Sequence, residues 1–414
     1  MNNEYIIDVY YGLIYHKDKK EEAKKYRNDD IRLLRYYTRD ILAQSKSNLI
    51  DTIFVQPIGL KCLGSCSYCM NDSYLCAESD FLTIEKFSGF LNYLKDNNYL
   101  SSSNINLSFS GGEPLLYPNL ESLIDTAIDI VPNLYSIKTT TGLFYSDDML
   151  NNLVEFMHNC SNKNVESINL SFSVDLDGSK NRYSNFFDLT NEINLIRTKR
   201  ILPELLSISK TNYSYNTRLN NDSNLNKLIN NIYSLFEIDS NIVVRISMVD
   251  GPTYYLDKDI KLFFDELVKN FNVSFTHKGS FTVEITSKES EYTFNNLMLM
   301  TLEDDIFALH PLDQRCWSWS RIIGISPKKY FNCYFGFYES DKIEDCIYID
   351  ENNPFYNVYN LLPDDCKICE YLAFCKLCPR QRRTYPCKDH PAMKEYMKQI
   401  FNVMISDPDK WCIE

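Results

Sequence analysis

From residue 52 to about residue 275 the chain alternates between two patterns. In short runs every second position is apolar, which marks β-strands; in longer runs apolar residues recur every third or fourth position, which marks amphipathic helices. Strands are predicted at 52–58, 104–110, 134–141, 166–175, 205–212 and 241–249. Between the first two, residues 83–96 carry Ile84, Phe87, Phe90, Leu91 and Leu94 on one helical face. Six β–α units in succession predict an α/β domain built on a parallel sheet with crossover helices.

A parallel sheet covered on both faces is made of nearly continuous apolar strands, but several strands here alternate with short polar residues. Asn104, Asn106, Ser108 and Ser110 share one face of the second strand, and Asn169, Ser171, Ser173 and Asp175 one face of the fourth. Ser207, Ser209 and Thr211 do the same in the fifth, Arg245 and Ser247 in the sixth. One face of the sheet is therefore expected to line a wet or ligand-filled cavity. An antiparallel sheet with a solvated face would alternate in the same way, but the intervening helices favour the parallel arrangement.

With 414 residues the chain exceeds the usual size of one domain. Residues 1–50 form an N-terminal segment, in which EYIIDVYYGLIYH predicts a hairpin or edge strand. The following EEAKKYRNDDIRLLRYYTRDILA predicts a charged helix striped by Ile31, Leu34, Tyr37 and Ile41. The α/β domain covers 51–300, and a cysteine-rich domain covers 301–414. A net charge of −13 argues against nucleic acid as a partner, since phosphate binding needs a basic surface. No apolar run reaches the ~18–20 residues of a membrane span, and MNNEYIID lacks the regions of a signal peptide. The expected location is the cytoplasm with no membrane partner, where the fourteen cysteines would stay reduced and available to metal.

Cys62, Cys66 and Cys69 stand in CLGSCSYC, directly after the first predicted strand. Three thiolates cannot close a four-iron cube, so one iron stays open to a ligand other than protein. Structural zinc is normally closed by four Cys or His residues, and no His lies near this loop. Chance clustering of core cysteines is the bland alternative. After the second strand comes Ser110-Gly111-Gly112-Glu113-Pro114, where two glycines let the backbone approach a ligand closely and Pro114 suits the start of the next element.

The cysteine run, with the aromatic Tyr68 before its last thiol, and the Gly-Gly-Glu-Pro turn some forty residues on resemble the radical S-adenosylmethionine (SAM) enzymes. That resemblance implies a partial (β/α)6 TIM-type barrel and a 4Fe–4S cluster on Cys62, Cys66 and Cys69. Its open iron would bind the amino nitrogen and carboxylate of SAM, whose reductive cleavage gives a 5′-deoxyadenosyl radical that abstracts hydrogen from substrate. Tyr68, Ser110, Gly111 and Gly112 would belong to the cofactor site, with Glu113 accepting from the SAM ammonium group. Ser173 would bind the ribose and Arg182 the methionine carboxylate, with Ser171 and Asp175 as alternatives because extra residues shift the alignment. Arg182 read without the resemblance is an exposed loop cation. Thr139, Thr140 and Thr141 occupy the place of a polar strand end facing SAM.

Cys316, Cys333, Cys346, Cys366, Cys369, Cys375, Cys378 and Cys387 crowd the C-terminal domain. Paired zinc ribbons would account for CKICEYLAFCKLC alone. Behind such a barrel, however, the pattern resembles the SPASM domain, which holds auxiliary iron–sulfur clusters in peptide- and protein-modifying enzymes. By that resemblance one cluster takes Cys366, Cys369, Cys375 and Cys387, and another takes Cys316, Cys333 and Cys378. Cys346 either closes the second cluster or leaves one iron open to a substrate thiolate. Two features depart from the family: Lys328 stands where it has Gly, and Lys376 and Leu377 replace three residues between paired cysteines. Pro379-Arg380-Gln381-Arg382-Arg383, between the last two cluster cysteines, is either a counter-charge to a cluster or a solvated basic loop. Cys76, Cys160 and Cys412 are left over as buried small residues or incidental thiols.

The implied activity is modification of a ribosomally made precursor peptide, giving a thioether or carbon–carbon crosslink. It would use SAM, three 4Fe–4S clusters and a flavodoxin- or ferredoxin-type electron donor. A sulfatase-maturing enzyme is the nearest rival, but it would carry a further cysteine between Cys316 and Cys333, where none occurs. A non-catalytic metal protein would bind zinc and leave SAM intact.

Overall fold

The computed structural model describes residues 5–8, 13–16, 50–59, 61–64, 66, 81–100, 104–143, 147–178, 191–219, 223–248, 266–267, 269–276, 282–290, 322–331, 339–347 and 412–413. Its centre is a sheet of parallel strands β3 (Thr52–Val55), β4 (Ile105–Phe109), β5 (Leu134–Thr141), β6 (Ser167–Ser173), β7 (Thr211–Leu219) and β8 (Val243–Met248), adjacent in chain order. The connections carry helices α1 (Ile84–Asp96), α2 (Leu120–Ile130), α3 (Asp147–Ser161), α4 (Asn191–Leu206) and α5 (Leu225–Phe236). The six predicted β–α units are thus present.

The alternation sets the two faces. In β6, Ile168, Leu170 and Phe172 are buried in the core that the helices cover, while Asn169, Ser171 and Ser173 on the other face are half-buried. β4 repeats the pattern, with Ile105, Leu107 and Phe109 buried beneath the helices. Register carries the polar face from strand to strand: Ser108 lies beside Lys138, Lys138 beside Asn169, and Asn169 beside Asn212. A slip of one residue would exchange the faces, so burial of one set fixes the register of all.

The helix predicted at 83–96 forms as α1. The side chain of Thr83 caps it by accepting from the Lys86 N–H, and Phe87, Phe90, Leu91 and Leu94 are buried. Beyond its end Asn98 takes φ +59, the left-handed conformation that Asn tolerates where helices stop.

The fifth strand differs from expectation. Residues 205 and 206 end α4, and the strand runs from Thr211 to Leu219 instead of 205–212. Leu202, Leu205 and Ile208 are buried at helical spacing, and the serines between them serve a turn: Ser207 Oγ donates to Glu204 O and Thr211 Oγ1 to Ile208 O. Lys210 at φ +60 completes it. Ser207, Ser209 and Thr211 therefore leave the polar face, Thr211 standing beside the buried Ile168, and Asn212, Ser214 and Asn216 stand there instead. The first strand also stops early, at Val55, because Pro57 lacks the N–H to continue a ladder.

Beyond β8 the sheet turns antiparallel. β9 (Asn272–Thr276) and β10 (Thr282–Thr286) form a hairpin, and β10 pairs with β8. At the other edge β11 (Ile322–Ile325) pairs in parallel with β3, followed by antiparallel β12 (Tyr330–Phe331) and β13 (Glu339–Ser340) and the short α6 (Ile343–Ile347). The described residues between 322 and 347 thus continue the main sheet. At Lys328 the β11–β12 turn is closed by Ser326, whose Oγ accepts from the Lys329 N–H at 2.9 Å. The Phe331 ring fills the space in front of Gly324, where an added Cβ would lie 2.0 Å from it.

The N-terminal hairpin is present as β1 (Tyr5–Asp8) and β2 (Leu13–His16), and β14 (Cys412–Ile413) pairs with β1 to make a three-stranded sheet. The helix predicted between residues 21 and 43 lies outside the described residues. No helix among them is long and apolar enough to cross a membrane.

Burial under the helices pushes the Cys160 thiol up from 9.0 to about 12 and the Tyr213 hydroxyl up from 10.0 to about 12, and raises Tyr215 as well. These groups are neutral when protonated, and the unfolded chain releases their protons first. Their contribution to stability is full below about pH 9 and is lost as pH rises toward 12. The thermal midpoint is expected to fall over that window, and to fall less in Cys160→Ala. A fall as large as in the wild type would show that Cys160 titrates normally in the fold.

Candidate functional site

The cysteine loop begins where β3 ends. Gln56 N donates to Ile325 O at 2.9 Å, Gly59 takes φ +57, and Lys61 N donates to Ile58 O at 3.2 Å. Cys62 and Cys66 follow, both half-buried, and Cys62 Sγ accepts from the Gly64 N–H at 3.3 Å. Cys69 and Tyr68 lie outside the described residues.

The Gly-Gly-Glu turn at the end of β4 is bonded to this loop. Ser110 N donates to Val55 O at 2.9 Å, Gly112 N to Gly59 O at 3.1 Å, and Glu113 N to Lys61 O at 2.7 Å. Gly111 has φ +103, and a Cβ there would stand 2.5 Å from the Gly59 carbonyl oxygen, so no other residue fits without moving the loop. Pro114 then starts a single 3-10 turn, Pro114–Leu116. The Tyr117 hydroxyl donates to Leu82 O at 2.6 Å, which ties this segment to the chain leading into α1.

Glu113 links the turn to a third strand end. It is 2% exposed, and its Oε2 accepts from the Gly142 N–H at 2.8 Å. Gly142 and Leu143 are held from α4, where Asn194 Nδ2 donates to Gly142 O at 3.0 Å and Arg197 Nη1 to Leu143 O at 3.4 Å. Leu143 is buried at φ +58, a strained conformation for Leu that these bonds maintain. Of the three threonines, Thr139 and Thr141 are buried on the helix side, and Thr140, paired with Ser171, stands on the polar face. The patterning did not reveal Asn194 and Arg197, because both lie on a helix remote in sequence from the turn they hold.

At the end of β6 the candidates separate. Asp175 is buried, and its Oδ1 accepts from the Arg218 N–H at 3.0 Å; Asp177 accepts from the Ser223 hydroxyl. Both shape the strand-to-loop exit. Ser171 Oγ lies 2.8 Å from Ser214 Oγ, and Ser173 is half-buried at the last position of the strand. Arg182 lies outside the described residues.

Cys346 is buried in α6, and burial pushes its thiol up to about 12 against a backbone hydrogen bond from Ser340 that acts the other way. Cys316, Cys333, Cys366, Cys369, Cys375, Cys378 and Cys387 lie outside the described residues, as does the Arg380 segment. Among the described residues no three His, Cys, Asp or Glu side chains come together to hold a metal. The donor chemistry of the first site nonetheless suits an iron–sulfur cluster: two half-buried thiols sit on a loop bonded to a glycine turn, and a third follows at 69.

No protein-family model and no curated protein matches the chain. Solved structures do. Native anSMEcpe with bound AdoMet, an anaerobic sulfatase-maturating enzyme of the radical SAM class, matches with TM-score 0.56 and 16% identity, over 86% of this chain and 99% of that chain. Its hexahistidine-tagged form with bound AdoMet matches with TM-score 0.55 and 16% identity, over 87% of this chain and 95% of that chain. Streptococcus suis SuiB bound to precursor peptide SuiA gives TM-score 0.49 and 13% identity, over 87% of this chain and 83% of that chain. The large parallel sheet with its covering helices is therefore the partial-barrel α/β fold seen in anSMEcpe, a radical SAM enzyme.

Proposed function

We propose that this chain is a radical SAM enzyme with a C-terminal SPASM domain, which modifies a ribosomally made precursor peptide by forming a thioether or carbon–carbon crosslink. The observation that carries the reading is the bonding of the Cys62 loop to the Gly111–Glu113 turn, at the C-terminal ends of adjacent parallel strands. Ligand sites of parallel barrels form at that end. Cys62, Cys66 and Cys69 would hold a 4Fe–4S cluster, which when bound supplies the electron that cleaves SAM.

The chain's own residues place the cofactor. Backbone of Ser110, Gly111 and Gly112 cradles the methionine moiety, and Glu113 accepts from its ammonium group. Ser173 and Arg182 bind ribose and carboxylate. Cys366, Cys369, Cys375 and Cys387 hold one auxiliary cluster, and Cys316, Cys333, Cys346 and Cys378 the other. A flavodoxin- or ferredoxin-type protein delivers electrons.

Three cubes amount to about twelve irons per chain after anaerobic reconstitution. Stoichiometric zinc with about four irons or fewer would contradict two auxiliary clusters. Glu113→Gln keeps an oxygen for the Gly142 N–H while removing the charge that an ammonium group would meet. It is expected to weaken SAM binding by about one to two decades at unchanged iron content. Equal SAM affinity in variant and wild type would reduce Glu113 to a brace between two strand ends.

A further inference from the structure

Across β6, β7 and β8 the polar face carries hydrogen-bonding side chains in register, Asn169 beside Asn212, Ser171 beside Ser214 and Ser173 beside Asn216, with Arg218 beside Ser247 at its end. One ion pair is set into it. Arg245 Nε donates to Glu284 Oε1 at 2.6 Å, and Nη1 donates to Ser214 Oγ at 2.8 Å, which itself lies 2.8 Å from Ser171 Oγ. The two partners stand directly opposite on antiparallel β8 and β10, with side chains 34% and 9% exposed.

Glu284 is buried and Arg245 part-buried, and the desolvation of such a pair offsets much of its attraction, so its value to the fold does not account for a charge placed on the polar face. Its geometry suits recognition. A guanidinium carries five N–H donors in a rigid plane. Glu284 takes one through Nε and Ser214 one through Nη1, and the two bonds fix that plane. Because Glu284 already compensates the charge, the remaining donors suit a neutral carbonyl better than a second carboxylate. The Asn and Ser side chains alongside offer donors and acceptors at the strand spacing of about 4.8 Å, as a peptide backbone needs and a phosphate does not.

We propose that Arg245, oriented by Glu284 and Ser214, anchors a main-chain carbonyl of the substrate peptide on the polar face of β6–β8. The proposal deepens the peptide-modifying reading above and rests on it. β4 and β8 are four strand spacings apart, at most about 19 Å along the sheet. At about 3.3 Å per extended residue, the anchored carbonyl lies several positions from the residue that reacts. Arg245 is thus a substrate-positioning residue, remote from the cysteine loop.

The test presents the reconstituted protein with SAM to an array of immobilised random peptides with blocked termini, some built only from uncharged residues. Arg245→Ala is expected to lower affinity for the uncharged peptides that the wild type binds by about tenfold to a hundredfold, and added ethylguanidinium to restore it. Iron content and thermal midpoint separate a lost contact from a lost fold. Glu284→Gln, which leaves the guanidinium uncompensated, is expected to shift preference toward peptides bearing carboxylates. Unchanged affinity in Arg245→Ala, no shift in Glu284→Gln, or no binding by the wild type overturns the proposal. Formation of 5′-deoxyadenosine by the wild type is measured alongside. Its absence with Arg245-dependent binding intact overturns the radical SAM reading alone; its presence with Arg245-independent binding overturns the anchor alone.

Discussion

Replacing Cys62, Cys66 and Cys69 together by Ala is expected to remove about four of about twelve irons and to abolish reductive cleavage of SAM to 5′-deoxyadenosine. The loss should be complete because no other thiol of the described chain lies on this loop, and one removed ligand could leave a partly assembled cluster. The fold should survive. Cys62 and Cys66 are half-buried, and the apolar core beneath α1 to α5 does not include them. Helical content and thermal midpoint of the reconstituted variant check that point. Cleavage retained in the triple variant would place the chemistry elsewhere in the chain.

Gly111→Ala is expected to have the next largest effect. At φ +103 an Ala is strained by about 1–3 kcal/mol. Its Cβ would meet the Gly59 oxygen at 2.5 Å and Gln56 Cγ at 3.0 Å. Gly59 O is also the acceptor for Gly112 N, so the carbonyl cannot retreat without loosening the contact that seats the cysteine loop. SAM affinity should fall by at least about tenfold, and the cluster on that loop should assemble poorly. Gly89, inside α1 with nothing within 4 Å of its would-be Cβ, is the control. Gly89→Ala should stabilise by about 0.5–1 kcal/mol and leave SAM binding alone. Equal SAM affinities in Gly111→Ala and wild type would show that the glycine turn is no cradle.

Much of this site was legible because its signals are local. The cysteine spacing and the glycine turn each follow a strand directly, and parallel neighbours bring consecutive strand ends together. The faces of β4 and β6 were legible from strict alternation. The fifth strand was misplaced because LLSIS suits either a helix end or a strand, and only the packing of Tyr213 and Tyr215 decides. Asn194, Arg197 and the Arg245–Glu284 pair were not legible, since their partners come from elements 39 or more residues away. The alternation in TVEIT marks β10 as a strand, but not that Glu284 would stand opposite Arg245. The pairing of Ile7 with Ile413 joins the two ends of the chain, a contact that no local pattern encodes.

The central claim is tested most directly by incubating the anaerobically reconstituted wild-type chain with SAM and a strong one-electron reductant, and quantifying 5′-deoxyadenosine and methionine. Both products are expected in equal amounts, dependent on reductant and absent without iron. A chain that binds stoichiometric zinc and returns SAM intact would contradict that claim.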